Sequence, residues 1–278
     1  MFRKLLHICL LVSLPLCSLT AATNSNSSLD SLNKDVDRTP YVDLEYTIQQ
    51  RFEKIGQIIA SWRKAKYLRD GDVVYLKMNR PTSVGDKFTI FKNLGNVEKP
   101  GSLFSTSGER IHILGYVRVT AVKPGIIVAK IYGAKEDIDR GNWIAPLIDR
   151  RVKVDPHNCK KDVRGIILSA AGPNNLIGSY QFTFLNKGSA DGLNVNDKLY
   201  IYRKGTSAPG VDADLPEVNV AELVVVATTD KYATAYTLGG MEHFEAGAHF
   251  KTAVPETHYL DTSAPAVEDS STDGPQNQ

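Results

Sequence analysis

An internal repeat constrains the fold of this chain more than any other feature of its sequence. Residues 84–92 (VGDKFTIFK) match residues 195–203 (VNDKLYIYR). Each copy is a polar turn followed by alternating apolar residues, which is the pattern of a strand with one buried face. Two copies of one segment in a single chain indicate two copies of one folding unit.

The match extends through the rest of both copies. Upstream, residues 57–61 align with 165–169, and Val74 and Leu76 align with Phe182 and Phe184. Downstream, residues 115–119 align with 222–226, and a last set aligns in order: Ala129, Ile138, Gly141 and Ile144 with Ala235, Phe244, Gly247 and Phe250. Small changes in the offset indicate loop insertions within one common architecture.

The repeat predicts an all-β protein made of two tandem modules, at residues 41–150 and 163–254, joined by a linker at 151–162. Each module offers about six short strands separated by turn signals, which favours a small barrel or sandwich over a parallel α/β sheet. Apolar residues at 44, 48, 52, 55, 59 and 62 have helical spacing. Because the second half of that stretch aligns with a strand, we expect only a short helix at 44–54.

The two ends of the chain are predicted to lie outside the folded modules. Residues 1–22 have the basic start, the apolar run and the small residues of a secretory signal peptide. Cys17 offers lipid attachment as an alternative, but bulky Leu16 directly before it fits a lipidation motif poorly. Polar composition predicts disorder at 23–40 and at 255–278. The predicted location is the periplasm, with association at the outer membrane as an option.

Charge and cysteine content narrow the classes of function. The chain has 33 basic and 31 acidic residues, so loss of Arg3 and Lys4 with the signal leaves 31 of each. A protein without net charge has no general attraction to nucleic acid. Cys159 then remains as a single cysteine, which excludes an internal disulfide. It lies beside His157 and Asn158 in a polar linker, where we interpret it as incidental and not as a nucleophile.

We find no catalytic, cofactor or metal site in the sequence. Phosphate-binding glycine loops, the GxSxG elbow and the HExxH helix are absent. His243 and His249 lack further ligands nearby in sequence. Asp86 and Asp197 occupy equivalent repeat positions, and we predict that each accepts turn hydrogen bonds instead of forming a catalytic carboxylate pair.

A family resemblance is carried by the second repeat. Residues 184–193 (FLNKGSADGL), Val195, Asp197 and residues 199–203 (LYIYR) resemble the carboxy-terminal region of the type IV pilus secretin-associated LysM proteins. The resemblance covers most of residues 41–253, and the turn motif also resembles the carboxy-terminal module of the flagellar assembly protein T family. It implies association with an outer-membrane secretin ring. The stretch after the signal is too short for the peptidoglycan-binding LysM domain, so peptidoglycan binding is not expected.

We therefore expect a non-enzymatic periplasmic accessory protein that binds a secretin ring of a type IV pilus or related secretion system, with several copies around the ring. A component of the periplasmic ring of a flagellar motor is a close alternative. A cell-wall enzyme or carbohydrate-binding protein is an alternative of another class. It would need clustered acidic residues or exposed aromatic residues in a groove, and Trp62 and Trp143 alone do not establish one.

Overall fold

The computed structural model describes residues 40–253 except 103–104, 174 and 211–214. The predicted signal peptide, the segment 23–39 and the tail 255–278 lie outside the described residues. Within them the chain forms strands, together with one short 3-10 helix at Ser189–Asp191 and no α-helix. The predicted all-β class is therefore confirmed. No helix in this part of the chain has the length and apolar character needed to cross a membrane.

The strands fall into two consecutive sets. The first set is β1 (Tyr41–Asp43), β2 (Tyr46–Gln49), β3 (Gly56–Ser61), β4 (Val73–Met78), β5 (Lys87–Glu98), β6 (Thr106–Lys123), β7 (Ile126–Tyr132) and β8 (Trp143–Ala145). The second set is β9 (Arg151–Lys153), β10 (His157–Asn158), β11 (Arg164–Ala170), β12 (Phe182–Leu185), β13 (Asp197–Lys204), β14 (Glu217–Thr228), β15 (Ala233–Gly240) and β16 (His249–Lys251).

The first set contains a closed antiparallel barrel, here called barrel one. Strand β5 pairs with β6, then the ring continues through β7, β4, β3 and β8 and returns to β5. Inward-facing aliphatic side chains such as Ile58, Val74, Leu76 and Ile131 fill its interior. A six-stranded ring leaves room for side chains only, so this interior is a packed core and not a channel.

The second set contains a barrel of the same topology, called barrel two. Its ring runs β13, β14, β15, β12, β11 and β16, and it closes where β16 pairs with β13. Leu185, Leu199, Leu223 and Phe250 belong to its separate buried cluster. Strand by strand, the order matches barrel one, so each repeat of the sequence forms one closed barrel.

Irregular features recur at matching places in the two barrels. The bulge between Ile58 and Ala60 on β3 has its counterpart between Ile167 and Ser169 on β11. The left-handed turn residue Gly85, with φ 97°, is matched by Asn196 with φ 74°. Asparagine is among the few non-glycine residues that adopt this conformation readily.

The pairing corrects the sequence alignment of the first two strands by one residue. Val74 pairs with Ala129, and Thr183 pairs with the equivalent Ala235. Val74 therefore corresponds to Thr183, and Leu76 corresponds to Leu185, instead of to Phe182 and Phe184. A slip of one residue moves a side chain to the opposite face of a strand. Phe182 and Phe184 accordingly point away from the interior of barrel two.

The downstream alignment of β6 with β14 also shifts by one residue. Val117 pairs with Phe88 and Leu223 pairs with the equivalent Leu199, so Val117 corresponds to Leu223 and not to Val224. Val224 instead joins the cluster between the barrels. Apolar residues on both faces of these strands let either register satisfy the sequence pattern, which explains the error.

The short helix expected at 44–54 is wrong, since this region contains strand β2 and non-helical connections. Strand β2 pairs with β6, which supplies its backbone hydrogen bonds. The apolar residues of this stretch face different clusters: Ile48 packs between the barrels, Phe52 packs beside Phe91, and Ile55 joins the interior of barrel one. Their helical spacing is therefore coincidental and does not mark one face of a helix.

The two barrels pack on one another through a third buried cluster, called the joint. Barrel one and its flanking segments supply Leu44, Ile48, Val97, Ile113 and Val154 to this cluster. Barrel two supplies the outward-facing residues of β11, β12, β14 and the loop after β11, namely Leu168, Ala171, Phe182, Phe184, Val224 and Val226. Strand β9, within the predicted linker, pairs with β1 beside this cluster. The described residues from Pro40 to Ala253 belong to one compact unit.

Candidate functional site

Asp86 and Asp197, the equivalent carboxylates of the repeat, both serve turns. The Asp86 Oδ2 atom accepts a hydrogen bond from the Ser83 amide at 2.8 Å, and the Asp197 Oδ2 atom accepts one from the Asn194 amide at 2.7 Å. Asp86 directly precedes β5, and Asp197 is the first residue of the corresponding strand β13. The geometry matches the turn role predicted from the sequence, because a side-chain oxygen satisfies an amide that the turn leaves unpaired.

Cys159 lies nearer to possible catalytic partners than its linker position suggested. Strand β10 runs parallel to the start of β13, which places His157 Nδ1 3.3 Å from the buried Asp197 carboxylate. Cys159 packs against the interior cluster of barrel two, with its Sγ 3.7 Å from the Gly192 carbonyl oxygen. Burial raises the pKa of the Cys159 thiol, and Asp197 raises it further. Since the thiolate is the reactive form, the raised pKa lowers the fraction of reactive thiolate at neutral pH.

His243 and His249 do not form part of a metal-ligand cluster in the described structure. No group of three or more His, Cys, Asp and Glu side chains suited to a metal ion is found among these residues. The His249 ring instead lies 6.2 Å from the Tyr202 ring.

The two tryptophans have different environments. Trp143 is half-buried on β8 and packs against the cluster of Phe52 and Phe91, with Lys54 Nζ 5.0 Å from the centre of its ring. Trp62, directly after β3, is 77% exposed. Tryptophan combines a large apolar ring with a hydrogen-bonding N–H group, which is why it is enriched at protein interfaces.

The outer side of barrel two is covered along β11, β12 and β15. Leu168 is 1% exposed and Phe184 is fully buried, although both point out of the barrel. The cover comes from β2, whose Tyr46 ring lies 6.2 Å from that of Phe182, and from the long β5–β6 hairpin. This side of barrel two is thus a protein-binding surface that is already occupied within the chain.

The equivalent side of barrel one is called the open face, and it consists of Ile59, Trp62, Tyr75 and Tyr132. Its strands β3, β4 and β7 correspond to β11, β12 and β15. Ile59 corresponds to Leu168, yet it is 44% exposed, and Tyr132 is 44% exposed as well. The same face is therefore buried in one barrel and accessible in the other.

The loop that carries Trp62 is held in place by a buttressing arginine. The Arg140 guanidinium donates from Nη1 to the Ala65 carbonyl at 2.8 Å and from Nη2 to the Arg63 carbonyl at 2.5 Å. The Trp62 amide donates to the Val73 carbonyl at 2.9 Å, which continues the β3–β4 pairing. A loop fixed by these bonds presents Trp62 in a defined position, which lowers the entropic cost of binding.

Basic side chains border the open face. Arg63, Lys64 and Lys66 follow Trp62 in the loop, and Lys130 lies on β7 with its Nζ 5.9 Å from the centre of the Tyr132 ring. A shallow groove of about 300 Å³ passes between Trp62, Arg63, Gly71, Asp72 and Val73. Asp72 lies 3.7 Å from Arg63 and also accepts the Arg69 amide, so its charge is partly balanced locally.

Tyr132 joins the open face to a larger groove on the same barrel. This groove has a volume of about 540 Å³, and its lining includes Lys87, Arg118, Leu147 and Asp149. Leu147 is among the exposed large apolar residues of the molecule. The accessible apolar and basic area therefore extends beyond the Trp62 loop.

Sequence reasoning named Trp62 but did not identify this face. The signal was present in residues 62–67 (WRKAKY), where two aromatic residues enclose three basic ones. The exposure of Trp62 becomes informative only once the register of the repeat is known. In that register Trp62 is equivalent to Ala171 of barrel two, which is fully buried. Neither a scan against protein-family models nor a search of curated proteins finds a match to this chain.

Proposed function

We propose that this chain is a non-enzymatic accessory protein that binds a subunit of a periplasmic ring assembly through the open face of barrel one. The ring is an outer-membrane secretin of a type IV pilus or a related secretion system. Export by the predicted signal peptide delivers the protein to the periplasm. Several copies bind around one ring, since every subunit of a ring offers the same surface.

One observation carries the binding role: a face buried by protein in barrel two is exposed in barrel one, where it keeps apolar and aromatic side chains. Trp62 and Tyr132 are of the residue types that contribute most to protein interfaces. Exposed clusters of this kind on a folded protein indicate a partner surface. The choice of a secretin as the partner comes from the sequence resemblance of residues 184–203, and the face itself does not name the partner.

A pull-down from envelope extracts of the source organism tests the proposal. The bait is the chain from residue 23 onward, and the readout is the identity of the recovered ring subunits. Recovery of a secretin supports the proposal, and recovery of a flagellar ring subunit in its place would assign the protein to the flagellar motor. If no ring subunit is recovered under any extraction condition, the assembly role is wrong.

A variant of the open face links recovery to the proposed surface. Ile59→Asp with Trp62→Asp should weaken partner binding at least about tenfold, because truncation of a central interface tryptophan usually costs 2 kcal/mol or more. Met241→Asp is the matched control, since Met241 is 50% exposed but lies in barrel two. Equal loss of binding in both variants would contradict a role specific to the open face.

A further inference from the structure

The cover of barrel two indicates what kind of segment the open face can bind. Strands β1 and β2, at residues 41–49, cross barrel two as an extended stretch that places Leu44 and Ile48 in the joint. An extended stretch with an apolar residue every few positions therefore forms part of the cover of this kind of face, together with the β5–β6 hairpin to which β2 is hydrogen-bonded. The open face has the same strand arrangement, with an added basic border.

We propose that the carboxy-terminal tail of this same chain, residues 255–278, binds the open face of barrel one in an extended conformation. The tail contains two short apolar pairs, Tyr259–Leu260 and Ala266–Val267. These pairs alternate with acidic residues along the tail. In this arrangement the apolar pairs contact Ile59, Trp62 and Tyr132, while the carboxylates meet the basic border.

Charge complementarity selects this segment. The tail has five acidic residues and no lysine or arginine: Glu256, Asp261, Glu268, Asp269 and Asp273. The open face is bordered by Arg63, Lys64, Lys66 and Lys130. Two nearby carboxylates offset part of this charge, Asp72 at 3.7 Å from Arg63 and Asp70, which accepts the Ala134 amide at 2.6 Å, and the border keeps an excess of basic residues. Opposite charges of this kind favour association and are weakened by salt.

The length of the tail is sufficient for binding within one molecule. The structure describes the chain to Ala253 at the end of barrel two, and the 24 residues from 255 to 278 follow. Fully extended, such a segment spans about 80 Å, whereas a domain of about 100 residues has a radius of gyration of about 13 Å. Tethering also gives a high effective concentration, in the millimolar range, so weak contacts are enough for occupancy.

A tail on the open face has a consequence that rests on the proposed function. The tail and the ring subunit would compete for Trp62, so tail binding would weaken binding of the ring subunit. Removal of the tail should then increase recovery of the partner in the pull-down. Tail binding is tested without the partner, so its failure leaves the ring-binding proposal standing.

The test follows Trp62 directly in the chain from residue 23 to 278 and in the same chain ending at Ala253. The two tryptophans, Trp62 and Trp143, give two indole N–H signals in nuclear magnetic resonance spectra. Deletion of the tail should move the Trp62 signal and leave the Trp143 signal in place. Salt near 1 M, where the Debye length is about 3 Å, should move the full-length signal toward the truncated one.

A charge-neutral tail is the matched control, with the five acidic residues changed to Gln or Asn as Glu256→Gln, Asp261→Asn, Glu268→Gln, Asp269→Asn and Asp273→Asn. Its Trp62 signal should resemble that of the truncated chain. Identical Trp62 signals in the full-length and truncated chains would overturn the proposal. A tail effect that disappears on dilution would overturn it as well, because binding would then occur between copies.

Discussion

Barrel one and barrel two share one ring of strands, matching bulges and matching left-handed turn positions, but their outer faces differ. In barrel two, Leu168 and Phe184 point outward and are buried beneath β2 and the β5–β6 hairpin. In barrel one, the corresponding Ile59 and Tyr75 lie on the open face, beside the exposed Trp62. The strand order, bulges and turns are the same in both barrels. The outer faces differ because one is covered by other parts of the chain and the other is not.

The two barrels also differ in the length of one hairpin. Barrel one has the longer hairpin, since β6 spans 18 residues against 12 for its counterpart β14. The extra length supplies Glu109 and Arg110 for pairing with β2, and Ile113 further along β6 lies in the joint. The equivalent of Ile113 on β14 is Asn219, so the hairpin of barrel two lacks this apolar contact.

The largest effect on stability is expected from Phe184→Ala compared with Tyr75→Ala, its equivalent on the open face. Phe184 is fully buried in the joint, so its truncation should cost about 3–5 kcal/mol. Tyr75 is half-buried, and its truncation should cost about 1 kcal/mol. Urea unfolding of the three proteins measures the difference, and equal losses would mean that the joint does not cover barrel two in solution.

The second comparison concerns the two turn aspartates. Asp197→Ala should destabilise the protein by about 1–3 kcal/mol, because Asp197 is buried and its loss leaves the Asn194 amide unpaired. Asp86 is less buried, and water can replace its bond to Ser83 once the side chain is removed. Asp86→Ala should therefore have the smaller effect on the thermal midpoint. The reverse order would show that burial does not govern the strength of the repeated turn.

A pH-dependent difference between the barrels is expected at His112, whose counterpart on β14 is Val218. His112 is buried at the joint, its ring stacked on Tyr46 at 4.4 Å, and it lies 3.5 Å from Glu136. Burial lowers the pKa of the His112 imidazole; Lys92 and Arg150 lower it further, and Glu136 opposes the shift. The unfolded chain therefore takes up this proton first as the pH falls.

The expected consequence is a loss of stability as the pH falls below about 6.5, the ordinary pKa of histidine, with no contribution from this residue at higher pH. Urea unfolding at pH 8 and pH 5.5 measures it. His112→Phe keeps an aromatic ring on Tyr46 and should remove this part of the pH dependence. An unchanged pH dependence in that variant would assign the effect to other groups.

The smallest effect on stability is expected from Trp62→Ala, which should change the unfolding free energy by no more than about 0.5 kcal/mol because the side chain is exposed. Leu168→Ala, on the covered face of barrel two, should instead cost about 2–5 kcal/mol. Both values come from the same unfolding curves. A large loss in Trp62→Ala would mean that the tryptophan supports the fold and is not held ready for a partner.

The sequence was sufficient to predict the repeat, the strands and the turns, because these depend on local residue patterns. Alternating apolar residues at 87–92 and 198–203 predicted β5 and β13, and the aspartates at 86 and 197 predicted their turns. It was not sufficient for β2, where Leu44, Ile48 and Phe52 imitate a helix face. Strand β2 forms by pairing with β6, which is distant in sequence, and the spacing of apolar residues within 44–52 does not reveal that pairing.

The sequence showed the residues of the candidate site but not that they are exposed. Trp62 and its basic neighbours could be read directly, but whether an outward residue is covered depends on which parts of the chain pack over it. Leu168 and Ile59 are both aliphatic residues at the same bulge, so their chemistry alone does not separate buried from exposed.

The sequence by itself thus determined that the chain folds as two copies of an all-β unit with structural aspartates at equivalent turns. Only the tertiary structure decided that each copy closes into a barrel, that the register differs by one residue in several strands, and that one outer face is covered while the other is open. The physical reason is that turn hydrogen bonds and strand periodicity act between neighbours in sequence. Ring closure and the joint arise from packing between residues far apart in the chain.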